Sequence, residues 1–206
     1  MAGPAMSSAH QRGGAREVDL RDRIRQCALE LFAECGYAAT SMRDIAEASA
    51  CTKPALYYHF DSKQGLFVEV LRTLLDRLDD LVGEHLSRPL PVRDRMVRAG
   101  AAYLEFVRAN RSALRLLMRA ELHPERAQPP FDFDSYRQHH VDQITALIQH
   151  GIEQGEVRED VDLATAIDAL VGGLEMRVML FVGHGEPIPD DYPERIVELM
   201  FRGLSP

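Results

Sequence analysis

Residues 40–60 read TSMRDIAEASACTKPALYYHF, and the order of polar and apolar residues in this stretch decides the fold of the N-terminal part. Ser41 is placed to cap a short helix in which Ile45 and Ala46 point inward. Residues 49–51 form a turn. Thr52 then caps a second short helix, with Leu56 on its inner face. Two short helices joined by a tight turn are the plan of the helix-turn-helix, whose second helix enters the major groove of DNA.

The outer face of this second helix has side chains suited to reading DNA. At about 100° per residue, Pro54, Ala55 and Tyr58 lie on the side opposite the apolar edge. Tyr57 and His59 lie on the flanks. A small residue such as Ala55 allows close approach and can touch a thymine methyl group, while hydroxyl and imidazole N–H groups can donate to phosphates. Geometry alone leaves open that this face binds a partner protein.

Positive charge lies at both ends of the same segment. The chain has two lysines, Lys53 and Lys63, and each stands at the start of a predicted helix, where phosphates bind well. Arg43, in the first turn of the preceding helix, can reach a phosphate or a groove edge. The predicted DNA-binding residues are Thr40, Arg43, Thr52, Lys53, Pro54, Ala55, Tyr57, Tyr58, His59 and Lys63.

Residues 23–66 resemble the DNA-binding domain of the tetracycline-repressor (TetR) family of bacterial regulators. The resemblance is carried by Ala28, Leu31, Phe32, Gly36, Tyr37, Thr40, Arg43, Asp44, Ile45, Ala46, Lys53, Leu56, Tyr57, Tyr58, His59, Phe60, Ser62, Lys63 and Leu66. It implies an N-terminal three-helix DNA-binding domain followed by a helical domain that binds a ligand and dimerises. It also implies a ligand-responsive repressor that binds a palindromic operator as a homodimer.

Three positions depart from the usual pattern of that family. Ala50 stands where glycine is usual in the turn, and a positive φ there would strain an alanine. Cys51 replaces the usual valine, and Pro54 replaces the commoner glycine. The resemblance therefore implies no particular operator sequence.

The rest of the chain shows helical periodicity and no convincing strand alternation. The predicted fold is all-α, with about nine helices. Residues 1–16 are predicted as a disordered N-terminal arm, residues 17–63 as the helix-turn-helix domain, and residues 64–206 as the ligand-binding and dimerisation domain. Asp61 and Gln64 have capping-box spacing and are expected to open a long helix.

Charge and composition exclude several classes of protein. The net charge is −8, yet residues 1–63 carry eight positive and eight negative side chains, so the acidity lies in the later part. This distribution argues against a protein that coats nucleic acid and allows a local DNA contact. No apolar run reaches about 18 residues, so no membrane span is predicted. The three cysteines are expected to be reduced, which suits a cytoplasmic protein.

The last two helices are candidates for a dimer seam. A single recognition helix contacts too few base pairs for specificity in a genome, whereas a two-fold dimer presents two helices about 34–36 Å apart. The mid-helix pair Gly172 and Gly173 lowers helix stability unless close packing compensates. An ordinary core helix within one chain is the alternative. The predicted interface residues are Ala166, Ala169, Leu170, Gly173, Leu174 and Arg177.

A ligand pocket is expected in the same half of the chain. Methionine adapts to varied apolar groups, so the predicted effector is an unidentified small molecule that is largely apolar. Each candidate residue has an ordinary core position as its alternative. The candidates are Tyr103, Phe106, Met118, Glu121, Phe131, Phe133, Tyr136, His140, Met176 and Met179.

Other chemistry has little support in the sequence. His139 and His140 are adjacent on a predicted helix and point about 100° apart, so no metal site is predicted. No glycine-rich phosphate loop or nucleophile elbow is present, and neither an enzyme nor a cofactor is expected. The main alternative is an all-α small-molecule-binding protein or enzyme whose helix-turn-helix is vestigial. The regulator is favoured because the DNA-facing register of the second helix holds four residues that a vestigial helix need not keep, namely Lys53, Tyr57, Tyr58 and His59.

Overall fold

The structure is a computed structural model that describes the backbone of residues 8–204 and the side chains of residues 19–202. Over that range the chain forms nine α-helices and no strand, which confirms the predicted all-α fold. The helices are α1 (Ser8–Cys35), α2 (Met42–Ala48), α3 (Lys53–His59), α4 (Lys63–Leu86), α5 (Val92–Ala109), α6 (Arg111–Leu122), α7 (Phe133–Glu153), α8 (Leu163–Met179) and α9 (Tyr192–Leu204).

The N-terminal arm predicted over residues 1–16 falls partly outside the described residues. Residues 1–7 are not described, and the backbone of residues 8–16 is the first part of α1. The described helix therefore starts well before residue 17, where we placed the beginning of the DNA-binding domain.

The chain divides into two compact units. The first consists of Met1–Arg72 and Leu116–Pro130, and the second of Thr73–Arg115 and Phe131–Pro206. The predicted boundary after residue 63 is thus displaced, because the first turns of α4 pack in the first unit: Leu66, Phe67, Val70 and Leu71 are all buried. Residues 116–130, which we assigned to the C-terminal domain, fold with the first unit.

The first unit is built around an aromatic cluster. The ring of Phe67 in α4 meets those of Phe32 and Tyr37 edge-on, with centroid distances of 5.1 and 4.9 Å. Ile45 of α2 and Leu56 of α3 are fully buried. The apolar stripe of residues 20–35 predicts that α1 stops at Gly36. The structure confirms this stop, since Gly36 has a φ of +88°, a left-handed conformation that glycine adopts without strain.

The second unit packs α5, α7, α8 and α9 together with the end of α4. Its buried apolar core is formed by Leu86, Val92, Met96, Ala99, Leu147, Ile148, Val157, Ala166, Ile167, Leu170, Val197 and Phe201. Asp132 and Asp162 cap α7 and α8 by accepting backbone N–H bonds from Ser135 and Thr165. The sequence predicts the second of these caps, because Asp162 directly precedes an apolar helical pattern, and the structure confirms it.

Two helix ends differ from prediction. The hydroxyl of Ser62, rather than the carboxylate of Asp61, accepts the N–H of Gly65 at the start of α4. From its apolar pattern, the sequence predicts that α8 runs from Leu163 to Val182. Its α-helical part ends at Met179 and is followed by a π-helical turn, Leu180–His184, which Gly185 closes with a φ of +74°.

Candidate nucleic-acid interface

Local hydrogen bonds fix both ends of the helix-turn-helix. Ser41 and Asp44 form a capping box: the Ser41 hydroxyl accepts the N–H of Asp44 at 3.2 Å, and the Asp44 carboxylate accepts the N–H of Ser41 at 3.0 Å. The Ser41 hydroxyl also donates to the Asp44 carboxylate at 2.7 Å, and this bond, together with the one from the Ser41 N–H, holds the pKa of Asp44 below its ordinary value. The hydroxyl of Thr52 accepts the N–H of Ala55 at 3.3 Å. Both predicted caps are confirmed.

The turn between α2 and α3 is held from within the first unit. The hydroxyl of the fully buried Ser49 donates to the carbonyl of Ile45 at 2.7 Å. Arg23 of α1 donates from Nε to the carbonyl of Ser49 at 3.0 Å. Ala50 has a φ of +49°, so this turn keeps the left-handed conformation with alanine in place of glycine. The cost of that conformation for an alanine is about 1–2 kcal/mol.

Helix α3 presents the face expected for a recognition helix. Leu56 and Phe60 are 0% and 4% exposed, whereas Tyr58 is 74% exposed and Tyr57 is 48% exposed. Pro54 is also exposed. The predicted orientation of the helix is therefore confirmed. The side chains of Tyr57 and Tyr58, which carry hydroxyl groups, are thus exposed on the side of α3 that faces away from the core.

The flanks of α3 add donors of different kinds. Thr52 and Lys53 are exposed at its N-terminus, and Ala55 is half-buried. His59 is half-buried too, with its ring edge-on to that of Tyr58 at 5.2 Å. Lys53 can supply N–H donors and positive charge to phosphates, His59 can supply a ring N–H, and Thr52 can supply an O–H.

Arg43 stands on the exposed side of α2. Its Nε donates to the Glu47 carboxylate at 2.8 Å, and both side chains are about two-thirds exposed. An exposed pair of this kind is worth little in water. The guanidinium of Arg43 can therefore exchange Glu47 for a phosphate at small cost.

Thr40 and Lys63 occupy other positions than predicted. Thr40 is 3% exposed, and its hydroxyl donates to the carbonyl of Gly36 at 2.7 Å. Lys63 donates from Nζ to the carbonyls of Tyr37 at 2.8 Å and Thr40 at 2.9 Å. Both side chains are thus used inside the first unit, where they fix the segment that leads into α2.

Two residues of this unit were missed by sequence reasoning. Arg23 holds the turn, and Glu125 accepts backbone N–H bonds from Tyr37 and Ala38. Arg23 lies 26 residues from its partner and Glu125 lies 88 residues from Tyr37, so no local pattern signals either contact.

The predicted dimer residues lie on different sides of α8. Ala166 and Leu170 are buried in the core of their own chain, whereas Ala169 is exposed. Gly173 packs closely against α9 of the same chain, since an added Cβ would lie 2.7 Å from Cδ1 of Ile196. Leu174 and Arg177 are half-buried. Among the described side chains of α8 and α9, the large apolar ones that are exposed are Met176, Met179 and Leu199.

The candidate pocket residues fall in both units. In the second unit the ring of Phe131 lies 4.8 Å from that of Phe133 and 5.9 Å from that of Tyr136. The Tyr136 hydroxyl donates to Asp76 at 2.7 Å, and His140 lies 3.5 Å from Asp79.

The remaining candidates are placed on α5, α6 and α8. Tyr103 and Phe106 are half-buried on α5, and desolvation raises the pKa of Tyr103. Met118 and Glu121 are half-buried on the part of α6 that belongs to the first unit. Met176 and Met179 are exposed on α8, at 53% and 39%.

The part of the chain that the structure describes has neither a metal site nor a membrane span. No group of three histidine, cysteine or carboxylate side chains is arranged there to hold a metal ion. None of the described helices is both long enough and apolar enough to cross a membrane.

Comparison with known proteins then places the chain. Residues 24–70 match the family model described as bacterial regulatory proteins, tetR family, and residues 91–200 match that of the tetracyclin repressor-like C-terminal domain. The chain belongs to the tetR family. It is therefore a DNA-binding transcriptional regulator, and the alternative with a vestigial helix-turn-helix is not favoured.

Named relatives in the tetR family are regulators as well. The repressor KstR2 of Rhodococcus jostii is 27% identical over 90% of this chain and 91% of its own. KstR2 of Mycolicibacterium smegmatis is 30% identical over 69% of this chain and 70% of its own. The structure of PfmR from Thermus thermophilus has a TM-score of 0.70 and 28% identity, covering 90% and 97%. FadR from Bacillus subtilis, in complex with stearoyl-CoA, has a TM-score of 0.69 and 16% identity, covering 88% and 97%.

Proposed function

We propose that this regulator acts in the cytoplasm as a homodimer on a palindromic operator, without catalytic activity of its own, and that a small effector with a largely apolar body releases it. The observation that carries the proposal is the exposed recognition helix: Tyr58 is 74% exposed while Leu56 on the opposite side is 0% exposed. In this proposal Arg43, Thr52, Lys53, Pro54, Ala55, Tyr57, Tyr58 and His59 form the DNA contact.

Exposed apolar surface on α8 and α9 supports the homodimer. In the single chain, large apolar side chains are exposed to solvent at Met176, Met179 and Leu199. Three large exposed apolar side chains on two helices that pack together are candidates for an interaction site. We therefore move the proposed seam from the face of Ala166 and Leu170 to this exposed side of α8, together with α9.

The effector class is supported by residue types in the second unit and by relatives of the same fold. Half-buried aromatic side chains on α5 and α7, such as Tyr103 and Phe133, suit an apolar body. FadR of B. subtilis was solved with stearoyl-CoA. Release by a factor of 100 requires about 2.7 kcal/mol of differential effector binding.

The first test is a gel shift of the purified full chain with the DNA upstream of its own gene. Binding that gives a single complex with two chains per site supports the proposal, and failure to bind that DNA and its palindromic fragments overturns it. Sedimentation of the free protein then distinguishes dimer from monomer. Thermal shift with stearoyl-CoA, stearate and a steroid ketone tests the effector class, since native-state binders raise the melting point.

A further inference from the structure

The segment that joins α1 to α2, residues 36–40, sets the position at which the helix-turn-helix begins. We call it the connector. It starts at Gly36 in a left-handed conformation and ends next to Ser41, the cap of α2. Its backbone groups therefore need partners that are not supplied by a regular helix.

The N–H groups of the connector point to one carboxylate. Glu125 accepts the N–H of Tyr37 on Oε1 at 3.0 Å and the N–H of Ala38 on Oε2 at 2.8 Å. Its side chain is 21% exposed, and Arg119 places a guanidinium nitrogen 3.1 Å from Oε1. Hydrogen bonds to an ionised acceptor are about twice as strong as neutral ones, so this contact is worth more than a pair of turn hydrogen bonds.

The absence of a side chain at residue 36 allows this contact. A Cβ added to Gly36 would lie 2.3 Å from Oε1 of Glu125 and 2.6 Å from a guanidinium nitrogen of Arg119. The glycine is thus required twice, for its φ of +88° and for the approach of the ion pair.

The carbonyl groups of the connector are held by a different residue. Lys63, at the start of α4, donates to the carbonyls of Tyr37 and Thr40. The connector is therefore fixed by a lysine at its carbonyl groups and by Glu125 at its N–H groups. Lys63 follows the helix-turn-helix directly in the sequence. Glu125 comes after α6 and lies 88 residues from Tyr37.

We propose that Glu125, oriented by Arg119, is a positioning residue for DNA binding: its carboxylate holds the connector, and so holds α2 and α3 in the arrangement that engages DNA. Arg119 lies on α6, which is one continuous helix from Arg111 to Leu122. The proposal rests on the DNA-binding function of the chain and goes beyond the contacts that α3 makes with DNA.

The test uses the full chain, with Glu125→Gln as the main variant. Glutamine keeps the length of the side chain, but it offers one acceptor oxygen in place of two and loses the ion pair with Arg119. Glu34→Gln, at an exposed position near the end of α1, removes the same charge and is its control. Arg119→Met is compared with Arg126→Met, an exposed arginine of the same segment. Hydrogen exchange of residues 36–40 and affinity for the DNA upstream of the gene are measured well below the unfolding temperature.

We expect Glu125→Gln to speed exchange at Tyr37 and Ala38 and to weaken DNA binding by about tenfold, as loss of charge-assisted hydrogen bonds predicts. Glu34→Gln should bind no more weakly than the wild type. Arg119→Met should bind more weakly than Arg126→Met, and the Arg119→Met/Glu125→Gln double variant about as weakly as Glu125→Gln alone, because the two residues act in series.

Faster exchange with unchanged DNA affinity in Glu125→Gln would overturn the positioning role, and so would unchanged exchange. A lower melting temperature with unchanged DNA affinity would also overturn the positioning role. A purely structural residue lowers stability without lowering the affinity of the folded protein. A wild-type chain that fails to bind the DNA would overturn the proposed function together with this inference, so the two failures are distinguishable.

Discussion

The ammonium group of Lys63 lies 2.8 Å from the carbonyl oxygen of Tyr37 and 4.2 Å from the centroid of the same residue's ring. The positive charge of Lys63 therefore contacts both the main-chain carbonyl and the aromatic ring of Tyr37, and the lysine side chain is half-buried. Lys53, the other lysine of the chain, stands exposed at the start of α3. We propose separate roles for the two lysines: Lys63 stabilises the DNA-binding unit, and Lys53 contacts DNA.

Replacement of Lys63 should therefore lower stability. In Lys63→Met two hydrogen bonds from a charged donor are lost while the aliphatic stem remains. We expect the free energy of unfolding to fall by about 2–3 kcal/mol, measured by urea denaturation. Lys53→Met is the matched control and should leave the unfolding midpoint within experimental error. Equal midpoints for the two variants would contradict the assigned role of Lys63.

Lys53→Met should instead change the response of DNA binding to salt. Each phosphate contact releases counterions, so the affinity of the wild type should fall steeply as salt rises. Removal of one phosphate contact per recognition helix reduces the slope of log affinity against log salt by about 1 for each helix. Fluorescence anisotropy at several salt concentrations gives this slope. A flat response in the wild type would exclude phosphate contacts as a main source of affinity.

The parts of the first unit that could be predicted from the sequence depend on neighbours within four residues. Thr52 caps α3, and Leu56 and Phe60 share a face, because the helix geometry fixes these relations locally. The roles of Lys63 and Glu125 could not be predicted, because their partners are backbone groups brought close by the tertiary fold. A lysine at a helix start looks the same in sequence whether it meets a phosphate or a carbonyl.

Helix α8 shows a second limit of prediction from the sequence. The periodicity of α8 predicts an apolar face, and Ala166 and Leu170 do lie on one. Periodicity does not indicate whether the same chain or a partner covers that face, and here the same chain covers it. The exposed methionines of α8 looked equally suited to a pocket, since methionine is common in both settings.

Tyr57→Phe should weaken DNA binding with little change in base preference. The substitution removes only the hydroxyl of a residue on the flank of α3, where phosphates of the groove wall are expected. Loss of one neutral hydrogen bond is worth about 1 kcal/mol, which is about fivefold in affinity for each recognition helix. Selection of bound sequences from a random library, with wild type in parallel, measures the preference. A marked shift in the selected sequence would contradict a phosphate role.

Ala50→Gly should stabilise the protein although it removes a methyl group. Ala50 has a φ of +49°, and glycine relieves a strain of about 1–2 kcal/mol. The larger entropy of the unfolded chain offsets about 0.4–1 kcal/mol of that gain. Ala48→Gly is the matched control, because Ala48 is exposed at the last residue of α2, where glycine relieves no left-handed strain and lowers helix stability by at most about 1 kcal/mol. Thermal unfolding should therefore shift upward for the first variant and downward for the second. A decrease for both would show that the turn carries no strain.

The capping box of α2 makes part of the stability depend on pH. Hydrogen bonds from Ser41 lower the pKa of Asp44 in the folded protein, so the folded state favours the ionised carboxylate more than the unfolded state does. This contribution is fully present above the unfolded pKa of about 4 and is lost as the pH falls through the folded pKa. The carboxyl resonance of Asp44, followed by NMR, should titrate below the ordinary aspartate range.

Two variants separate the charge of Asp44 from the cap itself. Asp44→Asn keeps an oxygen that accepts the N–H of Ser41 but does not titrate, so its stability should fall less than that of the wild type between about pH 5 and pH 3. Ser41→Ala removes the hydroxyl that donates to the carboxylate, and the pKa of Asp44 should move up toward its unfolded value. An Asp44 resonance that titrates at the same pH in the wild type and in Ser41→Ala would contradict this account of the cap.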